Sequence, residues 1–225
     1  MKHIVLVLCC VSFFIGSSQD NKKVKTLDKF SEVKGFDGLS INLIRSTENK
    51  AIITGENTDK VAFVMNNGVL KIRMQIGKIF AGYKTFIDLY YTDDIMVIDV
   101  NEDARINSED TIKQDVIELK AQEGGEISLD AEVEQILIKS VSGGVIKASG
   151  IADLQDVQIN TGGVYEGKRL KTKFSTVNVN AGSSAEIYAS DYVKAAVKAG
   201  GEVLVHGNPT KFEEKTVFGG VIKRL

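Results

Sequence analysis

Four pairs of adjacent carboxylates have the clearest potential for acid-base chemistry in this sequence. They are Asp93-Asp94, Glu102-Asp103, Glu109-Asp110 and Glu213-Glu214. Cleavage of a glycosidic bond needs one carboxylic acid with a raised pKa and a second carboxylate at a fixed distance from it. Because adjacent residues on a strand point to opposite faces, none of these pairs is by itself such a dyad. Solvated surface charge is the simpler interpretation, and no catalytic residue is predicted.

Histidine and cysteine offer little further chemistry. His206 is the only histidine after residue 3, which excludes a histidine metal cluster and leaves any Ser-His-Asp triad dependent on this residue. The repeat described below places it on an outer face beside inward Val205, where we predict an exposed side chain without a partner. Cys9 and Cys10 both lie in an apolar run near the N-terminus. We therefore predict no metal, no cofactor and no disulfide in the mature protein.

The N-terminus is typical of a secretory signal peptide. Lys2 and His3 precede an apolar run over residues 4–15, and small residues follow at 16–18, so we predict cleavage after Ser18. The run is too short to span a bilayer, and no later segment approaches the roughly 20 apolar residues required. Leu8 is a poor residue before an acylated cysteine, which argues against a lipid anchor. We expect an exported protein of the periplasm, the outer cell surface or the medium.

Glycine pairs recur along the chain at nearly constant spacing. The repeated positions are Gly124-Gly125, Gly143-Gly144, Gly162-Gly163, Gly182-Ser183, Gly200-Gly201 and Gly219-Gly220, separated by 19, 19, 20, 18 and 19 residues. A fixed period near twenty indicates stacked coils that share one core. No nucleotide-binding or calcium-binding pattern surrounds the glycines. We predict that they are structural turns, in which each pair supplies the positive φ of a two-residue reversal.

Apolar and polar residues alternate on both sides of each glycine pair. Ile146 and Val203 fall in predicted inward columns, whereas Lys147, Glu166 and Glu186 fall between them and should face solvent. A period of two indicates half-buried strands, and each repeat ends in a polar connection of about seven residues. The sequence therefore predicts an all-β, single-stranded parallel β-helix or solenoid with coils of about nineteen residues. Parallel crossovers favour a right-handed helix.

The period fades before about residue 95, although the β character persists. Asn66-Asn67-Gly68 stands between two apolar runs and predicts a hairpin. We predict one β-helix domain over residues 19–225, with a less regular portion at 19–94 and regular coils at 95–225.

Surface features suggest a partner without defining it. Val145, Val164 and Val221 share an outward position after the turn, and Val141 and Val217 lie before it. These valines indicate either a contact surface or solvent-exposed residues that flank the turns. The 28 Lys+Arg and 30 Asp+Glu residues are nearly balanced, so the sequence gives no footprint for nucleic acid or for an anionic membrane.

Several weak motifs occur in an order that resembles a known family. They are FDGLSINL, NNGVLKIRM and the serial turns that end in VFGGVIKRL, covering roughly residues 33–225. The chain resembles the putative auto-transporter adhesin, head GIN domain family of exported proteins in Gram-negative bacteria. The resemblance implies a β-helix with glycine-centred turns and a role in cell adhesion, and it brings no catalytic residues. Most turns here are Gly-Gly where the family often has Gly-Ser-Gly.

The leading hypothesis is a non-enzymatic binding, adhesion or structural module at the bacterial cell envelope, contacting glycans or proteins. The alternative is a glycan-active enzyme that uses carboxylates on an outer face. Two carboxyl groups about 5 to 9.5 Å apart in a groove with a stacking aromatic would favour the enzyme. A third hypothesis is a scaffold that self-associates through the edges of its coils.

Overall fold

The computed structural model describes residues 22–225, which form eighteen strands and one short 3₁₀ helix at Thr58–Lys60. The signal peptide predicted for residues 1–18 and both cysteines lie outside the described residues. The first nine strands are β1 Lys23–Thr26, β2 Glu32–Gly35, β3 Ser40–Arg45, β4 Lys50–Gly55, β5 Val61–Asn66, β6 Val69–Met74, β7 Thr85–Tyr91, β8 Val97–Val100 and β9 Arg105–Ser108. The remaining nine are β10 Ile112–Ala121, β11 Glu126–Ser140, β12 Val145–Ile159, β13 Val164–Asn180, β14 Ser184–Tyr188, β15 Tyr192–Lys198, β16 Glu202–His206, β17 Lys211–Val217 and β18 Val221–Arg224.

The strands stack as a β-solenoid of about seven turns, which confirms the predicted all-β fold and its coils of about nineteen residues. The wall that follows each glycine turn contains β7, β3, β9, the first parts of β11, β12 and β13, and then β14, β16 and β18. The wall that precedes each turn contains β6, β2, β8, β10, the later parts of β11, β12 and β13, and then β15 and β17. Neighbouring strands within both walls are parallel.

In three of the coils the predicted polar connections are themselves strand, whereas short breaks separate β14 from β15 and β16 from β17. β11, β12 and β13 each run from one turn to the next, so the expected seven-residue break between walls is wrong. The polarity of these segments reflects side chains that face solvent, while their backbones still pair with the adjacent coils. The chain bends between the walls at Gly150, whose φ is +106° and where a Cβ would lie 2.2 Å from the Ala131 carbonyl oxygen.

The turns are built one residue earlier than the sequence suggested. In one coil, Gly144 N donates to Val141 O at 2.9 Å, and the two residues between them have positive φ, +50° at Ser142 and +76° at Gly143. Gly144 does not have positive φ. A Cβ on Gly144 would lie 2.3 Å from the carbonyl oxygen of Ala121 in the preceding coil. The first glycine therefore supplies backbone conformation and the second supplies room between stacked coils.

The predicted inward columns form the core. Ile146 and Val203 are fully buried, and Tyr165 is the largest of the fully buried side chains. Between these columns Glu166 is exposed as predicted, whereas Lys147 and Glu186 are half-buried. They are more enclosed than expected because outward side chains contact their counterparts on the coils above and below.

The N-terminal portion combines parallel and antiparallel pairing. β5 and β6 pair antiparallel around Asn67 and Gly68, which both have positive φ. β1 and β4 also pair antiparallel, and β4 continues antiparallel onto β7. β2 and β3 pair parallel with strands of the two walls, so this portion shares the same sheet.

Candidate functional site

The outer surface of the turn-following wall contains a row of side chains to which each of nine parallel strands contributes one. In spatial order these are Asp88, Asn42, Asn107, Ser128, Lys147, Glu166, Glu186, Leu204 and Lys223. We call this surface the polar face. With a strand spacing of about 4.8 Å, the row is about 38 Å long. All its members except Leu204 can form hydrogen bonds through their side chains.

A groove of about 390 Å³ lies on the polar face where β3, β7 and β9 meet. Its walls include Asn42, Asp88, Asn107 and Glu109, together with the ring of Phe86, which is 52% exposed. Asn42 Nδ2 donates to Glu109 Oε1 at 3.4 Å. Amide and carboxylate groups beside an exposed aromatic ring could bind a polyhydroxylated ligand through both hydrogen bonds and ring stacking.

A second groove on the polar face, of about 420 Å³, lies between β13, β14 and β16. At its side Glu186 Oε2 lies 3.2 Å from Lys168 Nζ, and Glu186 Oε1 lies 2.7 Å from His206 Nε2. Burial acts to raise the pKa of Glu186, but the hydrogen bonds from His206 and Lys168 outweigh it and lower that pKa. The prediction that His206 has no partner is wrong, because its ring reaches diagonally to the neighbouring coil.

The four predicted carboxylate pairs occupy separate surface positions. Asp93 lies 3.0 Å from Lys29, Asp94 lies 3.0 Å from Arg45, and Glu213 lies 2.8 Å from Lys211. The lysine partners hold the pKa values of Asp93 and Glu213 below their usual range. A carboxylate that stays ionised in this way is poorly suited to act as a general acid.

Another carboxylate pair, which the sequence did not indicate, joins Glu102 to Asp37. Burial raises the pKa of Glu102, and the nearby Asp37 carboxylate raises it further. Both line a third groove of about 430 Å³. Asp37 is only 3% exposed, and its two oxygens accept hydrogen bonds from the backbone N–H groups of Met74 at 2.9 Å and Phe80 at 3.2 Å. Asp37 therefore clamps the chain rather than standing free as a catalytic group.

The sequence indicated only part of this clamp, which consists of Asp37 and the backbone N–H groups of Met74 and Phe80. The Asp37-Gly38 dipeptide is a turn signal, and both residues have positive φ. Its backbone partners lie 37 and 43 residues further along the chain. No local pattern could have connected groups at that separation.

The five predicted surface valines form two groups rather than one stripe. Val145 and Val164 are direct neighbours across strands, and Val141 lies at the same turn as Val145. Ser184 and Glu202 then interrupt the column before Val221. The exposed ring of Phe218 accompanies Val217 and Val221 at the last glycine turn.

Residues 22–225 contain neither a candidate metal site nor a helix that could span a membrane. No group of three or more His, Cys, Asp or Glu side chains is arranged to hold a metal ion. No helix in this part of the chain is long and apolar enough to cross a membrane.

Known structures share this fold. A putative adhesin from Bacteroides fragilis superposes with a TM-score of 0.84 at 16% identity, covering 93% of this chain and 98% of that one. A putative adhesin from Parabacteroides distasonis gives a TM-score of 0.74 at 16% identity, with the same coverages. A putative lipid binding protein from the same species gives 0.69 at 13% identity, also covering 93% and 98%. No curated protein matches the chain.

Residues 29–209 match the family model described as putative auto-transporter adhesin, head GIN domain. That match covers most of the chain and agrees with the motifs from which the resemblance was inferred. The adhesin descriptions of the family and of its structural neighbours support an adhesin-like, non-enzymatic role, and they fit an exported protein. The chain belongs to the putative auto-transporter adhesin, head GIN domain family.

Proposed function

We propose that this protein is a non-enzymatic binding module of the bacterial cell envelope, and that its polar face contacts a glycan. The observation that carries the proposal is the row of outward side chains along nine parallel strands, all of them polar except Leu204. A rigid row with a regular spacing can contact successive units of an extended polymer without paying to order the site on binding.

Ion pairs between coils support this proposal because they hold side chains of the face in place. Lys147 Nζ lies 2.7 Å from Glu126 Oε1, and Lys223 Nζ lies 2.8 Å from Glu202 Oε1. The composition of the face favours a glycan over a protein, because protein interfaces depend on central apolar and aromatic anchors. Phe86, Val164 and Leu204 are the apolar side chains that line its two grooves without belonging to the core.

Export is part of the same proposal. The adhesin family description supports it, and we propose that residues 1–18 are the signal peptide. N-terminal sequencing of the protein recovered outside the cytoplasm should begin at Gln19. A start at Met1 in exported material would contradict the proposed cleavage.

Binding of residues 19–225 to an array of bacterial and host glycans tests the role of the polar face. We expect one glycan class to be retained, and we expect Asn42→Ala with Asn107→Ala to weaken its binding by about thirtyfold, since two lost hydrogen bonds cost roughly 1 kcal/mol each. Gln158→Ala with Asn178→Ala is the matched control, because both residues are exposed on the opposite wall. Equal losses in the two variants would contradict the assignment of the face.

The same bound glycan tests the enzyme alternative. Incubation with purified protein should leave the glycan intact, because Asp93, Asp94 and Glu213 lie in ion pairs and Asp37 is occupied by backbone N–H groups. Release of shorter products that depends on Glu102 would replace the binding proposal with a catalytic one. If the protein bound an envelope protein and no glycan, it would still be a binding module, but the proposed glycan partner would be wrong.

A further inference from the structure

A loop over residues 75–84, between β6 and β7, exposes an unusual amount of apolar surface. Ile76 is 88% exposed, and Ile79, Phe80 and Tyr83 are 55%, 53% and 49% exposed. We call this segment the apolar loop. It lies apart from the strands of the polar face proposed above to contact a glycan, except where it joins β7. Large apolar side chains clustered on a surface indicate an interaction site.

The backbone of the apolar loop is ordered by two consecutive tight turns. Lys78 N donates to Gln75 O at 2.9 Å, which places Ile76 and Gly77 at the centre of the first turn. Ala81 N donates to Lys78 O at 3.1 Å, which places Ile79 and Phe80 at the centre of the second. These central positions normally hold Gly, Pro, Asn, Asp or Ser. The first turn holds Ile76 beside Gly77, and the second presents Ile79 and Phe80, neither of which is a usual turn residue.

Phe80 also adopts a backbone conformation that is unfavourable for its residue type. Its φ is +59°, in the left-handed region that residues with a Cβ rarely occupy. The clamp explains how the conformation is held, because Asp37 Oδ1 accepts the Phe80 N–H at 3.2 Å while Asp37 Oδ2 accepts the Met74 N–H at 2.9 Å. Strain that the surrounding structure holds in place is characteristic of functional segments.

The base of the loop is fastened at its other end by Tyr83. Its hydroxyl donates to Asp103 Oδ2 at 2.8 Å. Its ring packs against Gly38 so closely that a Cβ there would lie 2.9 Å from the ring. The loop is thus held at both ends, and its apolar tips stay directed away from the core.

Basic residues lie close to this apolar loop. Lys71 and Arg73 line the groove of about 430 Å³ beside Ile79, and Lys78 lies within the loop. None of the three has a carboxylate within 4.0 Å among residues 22–225, whereas the nearby Lys60 and Lys84 pair with Asp59 and Glu56. Glu102 and Asp37 are the acidic groups that line this groove, and the oxygens of Asp37 already accept hydrogen bonds from the backbone N–H groups of Met74 and Phe80.

We propose that the apolar loop docks on the surface of a bilayer that contains anionic phospholipid. Ile76, Ile79 and Phe80 enter the interfacial region, and Lys71, Arg73 and Lys78 contact the headgroups. Shallow insertion of a few apolar side chains combined with basic charge is sufficient for such binding. The balanced charge of the whole chain gave no sign of this partner, because the unpaired cations are visible as a cluster only once the chain has folded.

The small size of the apolar tip favours a bilayer over a protein partner. A stable protein interface buries roughly 800 Å² on each side, which three side chains on a narrow loop do not supply. Docking through this loop would leave the polar face free to bind its own partner. The two surfaces therefore have separate tests.

Co-sedimentation of residues 19–225 with lipid vesicles tests the proposal, since these residues contain every described strand of the solenoid. We expect binding to vesicles of phosphatidylglycerol and phosphatidylcholine, weakened by salt, and little binding to phosphatidylcholine alone. Lys71→Gln, Arg73→Gln and Lys78→Gln should each weaken it by about fivefold. Ile76→Ser with Ile79→Ser and Phe80→Ser should abolish it.

Exposed apolar residues elsewhere provide the matched control. Ile151 and Phe174 are 60% and 43% exposed on β12 and β13, and Ile151→Ser with Phe174→Ser should leave vesicle binding unchanged. The chain contains no tryptophan, so Phe80→Trp introduces a single reporter. Its emission should shift to the blue on binding to the vesicles, and that of Ile151→Trp should not.

Three results would overturn the proposal. They are failure of the folded wild-type protein to bind phosphatidylglycerol vesicles, equal losses in the loop and control variants, and binding that is indifferent to phosphatidylglycerol. Thermal melting of every variant separates misfolding from loss of docking. Glycan-array binding measured on the same variants distinguishes this proposal from the one for the polar face, since either surface can fail alone.

Discussion

The regular coils over residues 95–225 and the portion over residues 22–94 share one sheet but are organised in different ways. In the regular coils each side chain stacks on the same position of the next coil, so the register largely decides what a residue contacts. In the N-terminal portion the antiparallel strands β1, β4 and β5 interrupt this order. The buried clamp of Asp37 and the apolar loop both occur there.

The difference shows where a repeat protein can place specialised features. A column of the regular coils is constrained by stacking on both sides, because a change in one coil must fit the coils above and below. A segment outside the period escapes this constraint and can hold a buried carboxylate or a strained turn. The exposed apolar side chains of the apolar loop have no counterpart in the stacked turns, apart from Phe218.

The largest effect should follow substitution in a stacked column. Ile146→Asp places a carboxylate where the side chain is fully buried, and we expect unfolding of the solenoid at a cost of about 4 to 5 kcal/mol. Lys147→Gln, one residue away on the outer face, should cost less than about 1 kcal/mol, mainly from the ion pair with Glu126. Urea unfolding of both variants measures the two losses in the free energy of unfolding. Similar losses would mean that the register is wrong.

The same substitution at the two glycines of one turn should destabilise the protein by different amounts. Gly144→Ala meets the backbone of Ala121 at 2.3 Å and should cost about 3 kcal/mol. Gly143→Ala has no atom within 4 Å of its Cβ and is opposed only by its positive φ, so about 1 to 2 kcal/mol is expected. Differential scanning calorimetry should show the larger loss of Tm for Gly144→Ala. The reverse order would contradict the division of roles between the glycines.

Removal of the clamp should damage the N-terminal portion alone. Asp37→Ala leaves the buried N–H of Met74 and the partly buried N–H of Phe80 without acceptors, at a cost of about 2 kcal/mol. Hydrogen exchange should accelerate over residues 74–85 and remain slow in the regular coils, because both backbone N–H groups that Asp37 accepts from belong to the N-terminal portion. Asp153→Ala, which removes an exposed ion pair with Lys173, is the control. Accelerated exchange throughout the protein would mean that the two regions are not independent.

The comparison of regions also explains how much the sequence predicted. The period of the glycines predicted the solenoid, its coil length and its inward columns, because a repeated local pattern implies a repeated contact. It did not predict that Asp37 would reach Met74 and Phe80, or that Lys71 and Arg73 would lie beside Ile79 of the apolar loop. These contacts join residues without sequence periodicity. In the turn, the glycine pair indicated a reversal but did not show which of its members needed positive φ.

The smallest effect concerns His206, where the contact lies between two coils on the polar face. The sequence predicted a residue without a partner, whereas the structure places its Nε2 2.7 Å from Glu186 Oε1. His206→Ala should therefore cost about 0.5 to 1 kcal/mol at pH 7, since Lys168 retains part of the interaction with Glu186. Urea unfolding of the wild type and of His206→Ala measures this loss. No loss at pH 7 would restore the interpretation from sequence.

The pH dependence of that loss identifies the carboxylate as its source. Burial opposes ionisation of Glu186, but the hydrogen bonds from His206 and Lys168 lower its pKa in the folded protein. A lowered folded-state pKa gives stability that is present above the unfolded value of about 4.3 and is lost as pH falls through the folded value. The difference between wild type and His206→Ala should therefore shrink as pH falls below about 4. A difference that stays constant into that range would show that His206 stabilises the coil through packing against Tyr188 and its neighbours, without a contribution from the charge of Glu186.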